Sequence, residues 1–157
     1  MKRISVDVDR CSGCRVCEMV CSFNHENAFR PSISRITVIK EDSYGLDLPI
    51  VCWHCNPCYA MESCPEEALE RNEEDLVLAN EEKCVGCGKC LETCTAGAIK
   101  LHPERNFPLI CNQCSGKPLC VEKCPTKALT FAETEAQQPR STSQVVKVTL
   151  RRWRIIA

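Results

Sequence analysis

Aromatic residues are scarce, at 5% of 157, and no apolar run reaches the length that would cross a membrane. Sixteen cysteines are counted within the 44% apolar fraction, so the oily interior left after removing them is modest for this length. Something besides apolar packing must hold the fold. No secretory leader is expected from the opening residues: Met1-Lys2-Arg3 is charged, but Ile4-Ser5-Val6-Asp7-Val8-Asp9 puts acids where an apolar core would stand, and no twin-arginine pair appears there. The cysteines are therefore read as reduced thiols of a cytoplasmic chain and not as a disulfide framework. A formal net charge of -1 gives no electrostatic footprint for nucleic acid. No Ser/His/Asp set, phosphate-cradling glycine loop or dinucleotide fingerprint is present, so substrate chemistry has no candidate residues. Only His25, His54 and His102 supply imidazole. His25-Glu26 lacks the second histidine of a zinc-protease motif because Phe29 occupies that place, and all three are expected at the surface or beside sulfur.

What the chain has is thiol. The cysteines form four tight quartets: Cys11, Cys14, Cys17, Cys21; Cys52, Cys55, Cys58, Cys64; Cys84, Cys87, Cys90, Cys94; and Cys111, Cys114, Cys120, Cys124. The first and third read C-x2-C-x2-C-x3-C, which places three thiolates on one compact loop and the fourth a helical turn further on, the spacing of a [4Fe-4S] ligand run. Four such runs suit four [4Fe-4S] clusters. The fourth has a longer internal loop before Cys120. The second leaves five residues between Cys58 and Cys64, which makes Cys58 its irregular member. In two-cluster bacterial ferredoxins three cysteines of one run hold one cluster and the fourth ligates the other, so runs must pair. Sequential and nested pairing both satisfy the spacing.

Zinc is the competing metal, since C-x2-C pairs also build tetrahedral sites, but three consecutive steps fit it poorly. A zinc-bound or cluster-stabilised assembly scaffold and an enzyme with one open-site cluster are the rival readings. Sixteen thiolates against four 2+ cores add about eight negative charges. Arg10, Arg15, Lys83, Lys89, Lys117, Lys123 and Lys127 lie beside or within the quartets and are expected to offset that field.

Internal repetition is plain. Cys64-Pro65-Glu66-Glu67-Ala68-Leu69, Cys94-Thr95-Ala96-Gly97-Ala98-Ile99 and Cys124-Pro125-Thr126-Lys127-Ala128-Leu129 each place alanine four residues after the last cysteine, then an aliphatic residue that opens a short strand. The small residue lets backbone approach a cluster closely. Gly13 and Gly86 occupy matching places in the first and third loops, where positive φ is tolerated. Leu69 to Arg71 and Leu76 to Ala79 are predicted to form a hairpin. The segment between the first two quartets is an insertion, with strands predicted over Ile33 to Lys40 and Leu46 to Val51 and a turn at Gly45. Glu133 to Ser143 reads as a polar linker. The basic tail from Val145 to Ile156 is rich in β formers and reads as a strand added at an edge, as a dock on a partner with Trp153 and arginines such as Arg154 as anchors, or equally as a plain final strand of the domain.

Residues Cys11-Ser12-Gly13-Cys14-Arg15-Val16-Cys17-Glu18-Met19-Val20-Cys21-Ser22-Phe23-Asn24-His25-Glu26, then Phe29-Arg30-Pro31-Ser32-Ile33-Ser34-Arg35-Ile36, carry a resemblance. From about Ile4 to Phe131 the chain resembles the four-cluster ferredoxin-like subunits of molybdenum and tungsten oxidoreductases. It is most similar to the small iron-sulfur subunits that accompany tungsten aldehyde oxidoreductases. The resemblance implies an α+β fold of two ferredoxin-like modules with nested cysteine pairing, an inserted β-hairpin and a C-terminal extension. The outer module would be 1–50 with 101–132, the inner 51–100, and 133–157 the linker and tail. It implies the ligand sets Cys11, Cys14, Cys17 and Cys124; Cys111, Cys114, Cys120 and Cys21; Cys52, Cys55, Cys58 and Cys94; and Cys84, Cys87, Cys90 and Cys64. Cys58 departs from the family's usual second run. The expected role is a non-catalytic relay of single electrons between a tungsten- or molybdenum-cofactor subunit and a flavin subunit, ferredoxin or quinone-linked acceptor. The tail is a candidate contact for self-association.

Overall fold

Each quartet is set between short elements that are too small to be stable alone. A computed structural model describes residues 1–134 and 142–152. In chain order the elements are β1 (Lys2–Val6), α1 (Val16–Glu26), β2 (Ile36–Glu41), β3 (Leu46–Val51), α2 (Tyr59–Glu62) and β4 (Leu69–Arg71). There follow β5 (Val77–Ala79), α3 (Lys89–Thr93), β6 (Lys100–Leu101), β7 (Pro108–Leu109), α4 (Leu119–Glu122), β8 (Leu129–Glu133) and α5 (Thr142–Arg152). The architecture is α+β. Among the described residues the strands form two-stranded antiparallel ribbons, β1 with β8, β2 with β3, β4 with β5 and β6 with β7.

The first ribbon joins the two ends of the cysteine-bearing chain, with Lys2 opposite Glu133 and Val6 opposite Leu129. Helix α1 packs on α4, and α2 packs on α3. The apolar interior is correspondingly divided. One cluster gathers Ile4, Ile36, Val38, Val51 and Leu129 around Cys17, Cys21, Cys111, Cys120 and Cys124. The second gathers Ala60, Leu69, Val77, Ile99 and Ile110 around Cys90, with Cys52, Cys58 and Cys94 packed against it. Each buried aliphatic contributes about 1.5–3 kcal/mol. Thiols fill space that aliphatic side chains would otherwise occupy.

The predicted hairpins are present. Asn72 Oδ1 accepts the Glu74 and Leu76 N–H groups and closes the β4–β5 turn. Gly45 takes φ 63° between β2 and β3. Strand β2 starts at Ile36, three residues later than expected, because Pro31 opens a 3₁₀ turn over Pro31–Ile33. Glu133 belongs to β8, opposite Lys2, and not to a linker; residues 135–141 lie outside the described residues. The tail corrects the strand expectation outright, since 142–152 is a helix. Its β-branched composition suggested a strand, but the packed positions Val146, Thr149 and Leu150 recur at helical spacing, and Thr149 and Leu150 are both buried. The anchor role expected of Trp153 and Arg154 falls outside the described residues. Among the described residues no helix is long and apolar enough to cross a membrane.

Candidate metal centres

All sixteen cysteines are free thiols. The loop from Cys11 to Cys17 follows a 3₁₀ turn capped by Asp7, whose carboxylate accepts the Asp9 N–H. Gly13 turns that loop at φ 62° directly beneath the Asp47 carboxylate, so an added Cβ would collide with it. Gly86 repeats the turn at φ 68°, where a Cβ would stand 2.8 Å from the Asn106 carbonyl oxygen. Both positions need glycine for conformation and for space.

The thiols meet across runs. Burial raises Cys11, whose negative neighbours include Cys14 and the remote Cys124. Burial pushes Cys17 up to about 12, helped by the Glu18 carboxylate. Burial likewise raises Cys111, to about 12, and Cys114, and each has Cys21 of the first run as a neighbour. Cys52 and Cys55 are raised by burial, and both neighbour Cys94. Burial pushes Cys90 up to about 11, beside Cys84, Cys64 and Cys87. This last group lines a small recess with Cys64, Cys84, Cys87 and Cys90 in its wall, flanked by Ala68, Leu69, Leu101 and Pro108. Among the described residues no three His, Cys, Asp or Glu side chains form a single-ion site. The recess is a volume bounded by four thiols.

Backbone donors complete these surroundings. Ala68 N–H donates to Cys64 Sγ at 3.3 Å, Gly86 N–H to Cys84 Sγ at 3.4 Å, Gln113 N–H to Cys111 Sγ at 3.4 Å and Arg35 N–H to Cys21 Sγ at 3.3 Å. Around Cys124, burial acts upward but is outweighed by the N–H groups of Leu129, Ala128 and Thr126 and by the Thr126 hydroxyl, so its thiol is lowered. Two of the three repeated alanines are thereby explained: Ala68 and Ala128 are both 1% exposed, and a longer side chain would displace the N–H that reaches sulfur, whereas Ala98 is half-buried. Buried thiols that resist ionisation, yet are met by N–H donors suited to thiolates, fit a cationic iron-sulfur core bound in place of protons.

Cys58 stands at the start of α2, half-buried, with Cys55 as its neighbour. The histidines divide. His25 Nε2 lies 3.8 Å from Cys114 Sγ, and burial lowers its pKa to about 4. His54 is fully buried, accepts the Val77 N–H at Nδ1 (3.0 Å) and sits 3.8 Å from Cys52 Sγ. His102 corrects expectation, being neither exposed nor beside sulfur: it is buried, and its Nδ1 accepts the Glu104 and Arg105 N–H groups to hold the loop after β6. The cations adjacent to cysteine in sequence are partly committed elsewhere, Lys83 to Glu70, Lys123 to Glu122 and Arg15 to Glu18. Sequence reasoning missed Arg3, Arg35, Arg71 and Lys100. Arg3 is 2% exposed and donates to the His54 carbonyl at 3.1 Å, while Arg71 donates to the His54 and Cys55 carbonyls and to Asp75. Nothing in the linear pattern distinguished them from solvated surface charge.

Comparison with known proteins points to the same iron-sulfur chemistry. Residues 76–99 match the model of a 4Fe-4S binding domain. The aliphatic sulfonate oxidoreductase polyferredoxin-like subunit of Pyrococcus furiosus is 38% identical over 122 residues, covering 77% of this chain and 70% of that protein. One chain of the anaerobic dimethyl sulfoxide reductase of Escherichia coli is 29% identical over 144 residues, covering 80% and 70%. A putative electron transport protein of Escherichia coli, YsaA, is 34% identical over 147 residues, covering 86% and 92%. In fold, the protein is similar to a subunit of the active site complex BamBC of benzoyl coenzyme A reductase, with a TM-score of 0.53, 23% identity and coverage of 97% and 88%. These relatives, named as polyferredoxin-like, electron-transport and oxidoreductase-chain proteins, identify a non-catalytic electron-transfer component. The chain belongs to the family of 4Fe-4S ferredoxin-like electron-transfer subunits of oxidoreductase complexes.

Proposed function

We propose that this chain holds four [4Fe-4S] clusters in nested ligand sets and relays single electrons between a tungsten- or molybdenum-containing subunit of aldehyde oxidoreductase type and a flavin, ferredoxin or quinone-linked partner in the cytoplasm. The observation that carries the reading is the recess walled by Cys84, Cys87 and Cys90 of one run and Cys64 of another. Sequential pairing would instead send Cys64 toward the first run. In support, the electrostatic neighbours of Cys11, Cys17, Cys55, Cys111 and Cys114 fall into the other three nested sets. The β1–β8 ribbon and the α1–α4 and α2–α3 contacts suit an outer module of 1–50 with 101–132 and an inner module of 51–100. The aldehyde oxidoreductase assignment rests on the resemblance of residues 11–36.

Bound clusters supply reversible one-electron transfer at iron. The chain's residues hold and insulate them. Cys14 and Cys87 are exposed, so the first and fourth sets stand nearest the surface, while Cys52, Cys111 and Cys120 lie deeper among apolar side chains. Cys17 and Cys120 are electrostatic neighbours, as are Cys111 and Cys52, and Cys52, Cys58 and Cys94 pack with Cys90 in one apolar cluster, which supports a path through adjacent sets from Cys14 to Cys87. Anaerobically purified protein is expected to hold about sixteen iron and sixteen sulfide atoms. Electron paramagnetic resonance during stepwise reduction should resolve four one-electron centres. Stoichiometric zinc, or two clusters, would refute the reading. Co-purification with a subunit rich in tungsten or molybdenum tests the partner.

A further inference from the structure

The insertion between the first and second quartets carries charge that the repeat does not explain. Near the first ligand set stand two carboxylates, Asp47 from the insertion and Glu18 from α1. Asp47 of β3 sits on the Gly13 loop and acts on Cys11, while its Oδ1, the oxygen nearest the Gly13 turn, also pairs with Lys40. Glu18, 3% exposed, lies beside Cys17; it accepts the Val38 N–H at 3.0 Å with one oxygen, while the other has only the 3.6 Å ion pair to Arg15. Near the second set α1 and the insertion place donors and cations. Arg35 donates its N–H to Cys21 Sγ at 3.3 Å, and its guanidinium is close enough to Cys111 and Cys114 to favour both thiolates. Asn24 Nδ2 donates to Cys114 Sγ at 3.7 Å, and His25 Nε2 lies 3.8 Å from the same sulfur. Lys100, held by the Pro31 carbonyl (2.7 Å) and the Thr37 hydroxyl (3.1 Å), faces Cys21 and Glu18 together.

Reduction adds one negative charge to a site, so neighbouring carboxylates oppose it and neighbouring cations or N–H donors favour it; backbone N–H groups reach sulfur in both sites, at Cys124 in the first and at Cys21 and Cys111 in the second, so side-chain charge sets the difference. We propose that side chains of α1 and of the insertion polarise the outer pair of sites: Glu18 and Asp47 keep the site of Cys11, Cys14, Cys17 and Cys124 at the lower reduction potential, and Arg35, with Asn24 and His25, keeps the site of Cys21, Cys111, Cys114 and Cys120 at the higher. An electron reaching the outer pair comes to rest on the second site. These are positioning residues for charge and touch no substrate. The inference rests on the ligand sets proposed above.

The test is an anaerobic redox titration, followed by electron paramagnetic resonance, of the full-length, cluster-loaded chain. Cys14→Ser and Cys114→Ser first mark the two clusters by their altered spectra. Asp47→Asn should raise the midpoint of the cluster marked by Cys14→Ser, and Arg35→Gln should lower that of the cluster marked by Cys114→Ser. Each shift is expected to be about tenfold in the reduction equilibrium, about 59 mV for one electron. Glu18→Gln provides a second upward test if Asp47→Asn loads poorly. The inference falls if the wild-type order is reversed or equal, or if the variants leave the marked clusters unmoved. If Cys14→Ser and Cys114→Ser alter the same cluster, the ligand reading falls, and the inference with it.

Discussion

Replacing Arg3 by methionine removes a buried cation while keeping most of its volume. Arg3 belongs to β1, but its guanidinium reaches the loop of the second quartet, donating to the His54 carbonyl at 3.1 Å and pairing with Asp75 at 3.6 Å. A hydrogen bond from a charged group contributes about 1.5–3 kcal/mol. Two features pull toward the lower end. Asp75 keeps a shorter partner in Arg71, at 2.7 Å, and Nη1 of Arg3 is buried without an acceptor, so removing it recovers part of a desolvation cost. We expect a net loss of about 1.5 kcal/mol, and for a chain of this size roughly 3–6 °C in melting temperature. Because Arg3 and Arg71 share the His54 carbonyl, Arg71→Met alone and the double variant should be non-additive by at least about 0.5 kcal/mol. Anaerobic denaturant titrations of the cluster-loaded protein, followed by circular dichroism and by visible absorbance, supply the numbers. An unchanged midpoint for Arg3→Met, or strict additivity with Arg71→Met, would refute the shared clamp.

Gly86→Ala should lose both stability and iron from the fourth site, at a cost of about 1–3 kcal/mol, because positive φ is combined with a backbone clash at Asn106; Gly45→Ala, with open space around its Cβ, should pay the conformational strain alone and keep full iron content. Ala68→Val forces two methyl groups into a site 1% exposed beside Cys64, and iron analysis should find one cluster depleted at an overpacking cost of about 1–3 kcal/mol. Stripping iron with a chelator under reducing conditions should abolish most far-ultraviolet ellipticity, since ribbons of two to six residues and two small apolar clusters cannot hold the chain; an apoprotein that melts cooperatively near the native temperature would contradict this.

Spacing and repetition make the thiol chemistry legible in the sequence itself. Cysteine runs announce a cluster because three donors must share one loop. The alanine four residues after Cys64 and Cys124 announces close backbone approach, and Ala68 N–H does reach sulfur. Hairpins are legible from alternation and from Gly45 and Asn72 at their turns. Three features are not. The β-branched tail reads as a strand by propensity, and only its packing at Val146, Thr149 and Leu150 makes it a helix. His102 reads as a surface or sulfur-facing residue because sequence does not reveal which backbone N–H groups its ring accepts. The cations that act on sulfur, Arg3, Arg35 and Lys100, are distant in sequence from the thiols they approach, whereas adjacent Lys83 and Lys123 pair with glutamates.

The central claim is that the runs pair in nested order, so that the fourth thiol of the site of Cys84, Cys87 and Cys90 is Cys64, and Cys64 tests it most directly. Cys64→Ser and Cys87→Ser, each examined by electron paramagnetic resonance of the reduced, cluster-loaded chain, should disturb the same single centre and leave the remaining three at wild-type line shape and potential. Disturbance by Cys64→Ser of the centre that responds to Cys14→Ser, with the Cys87 centre intact, would contradict the account.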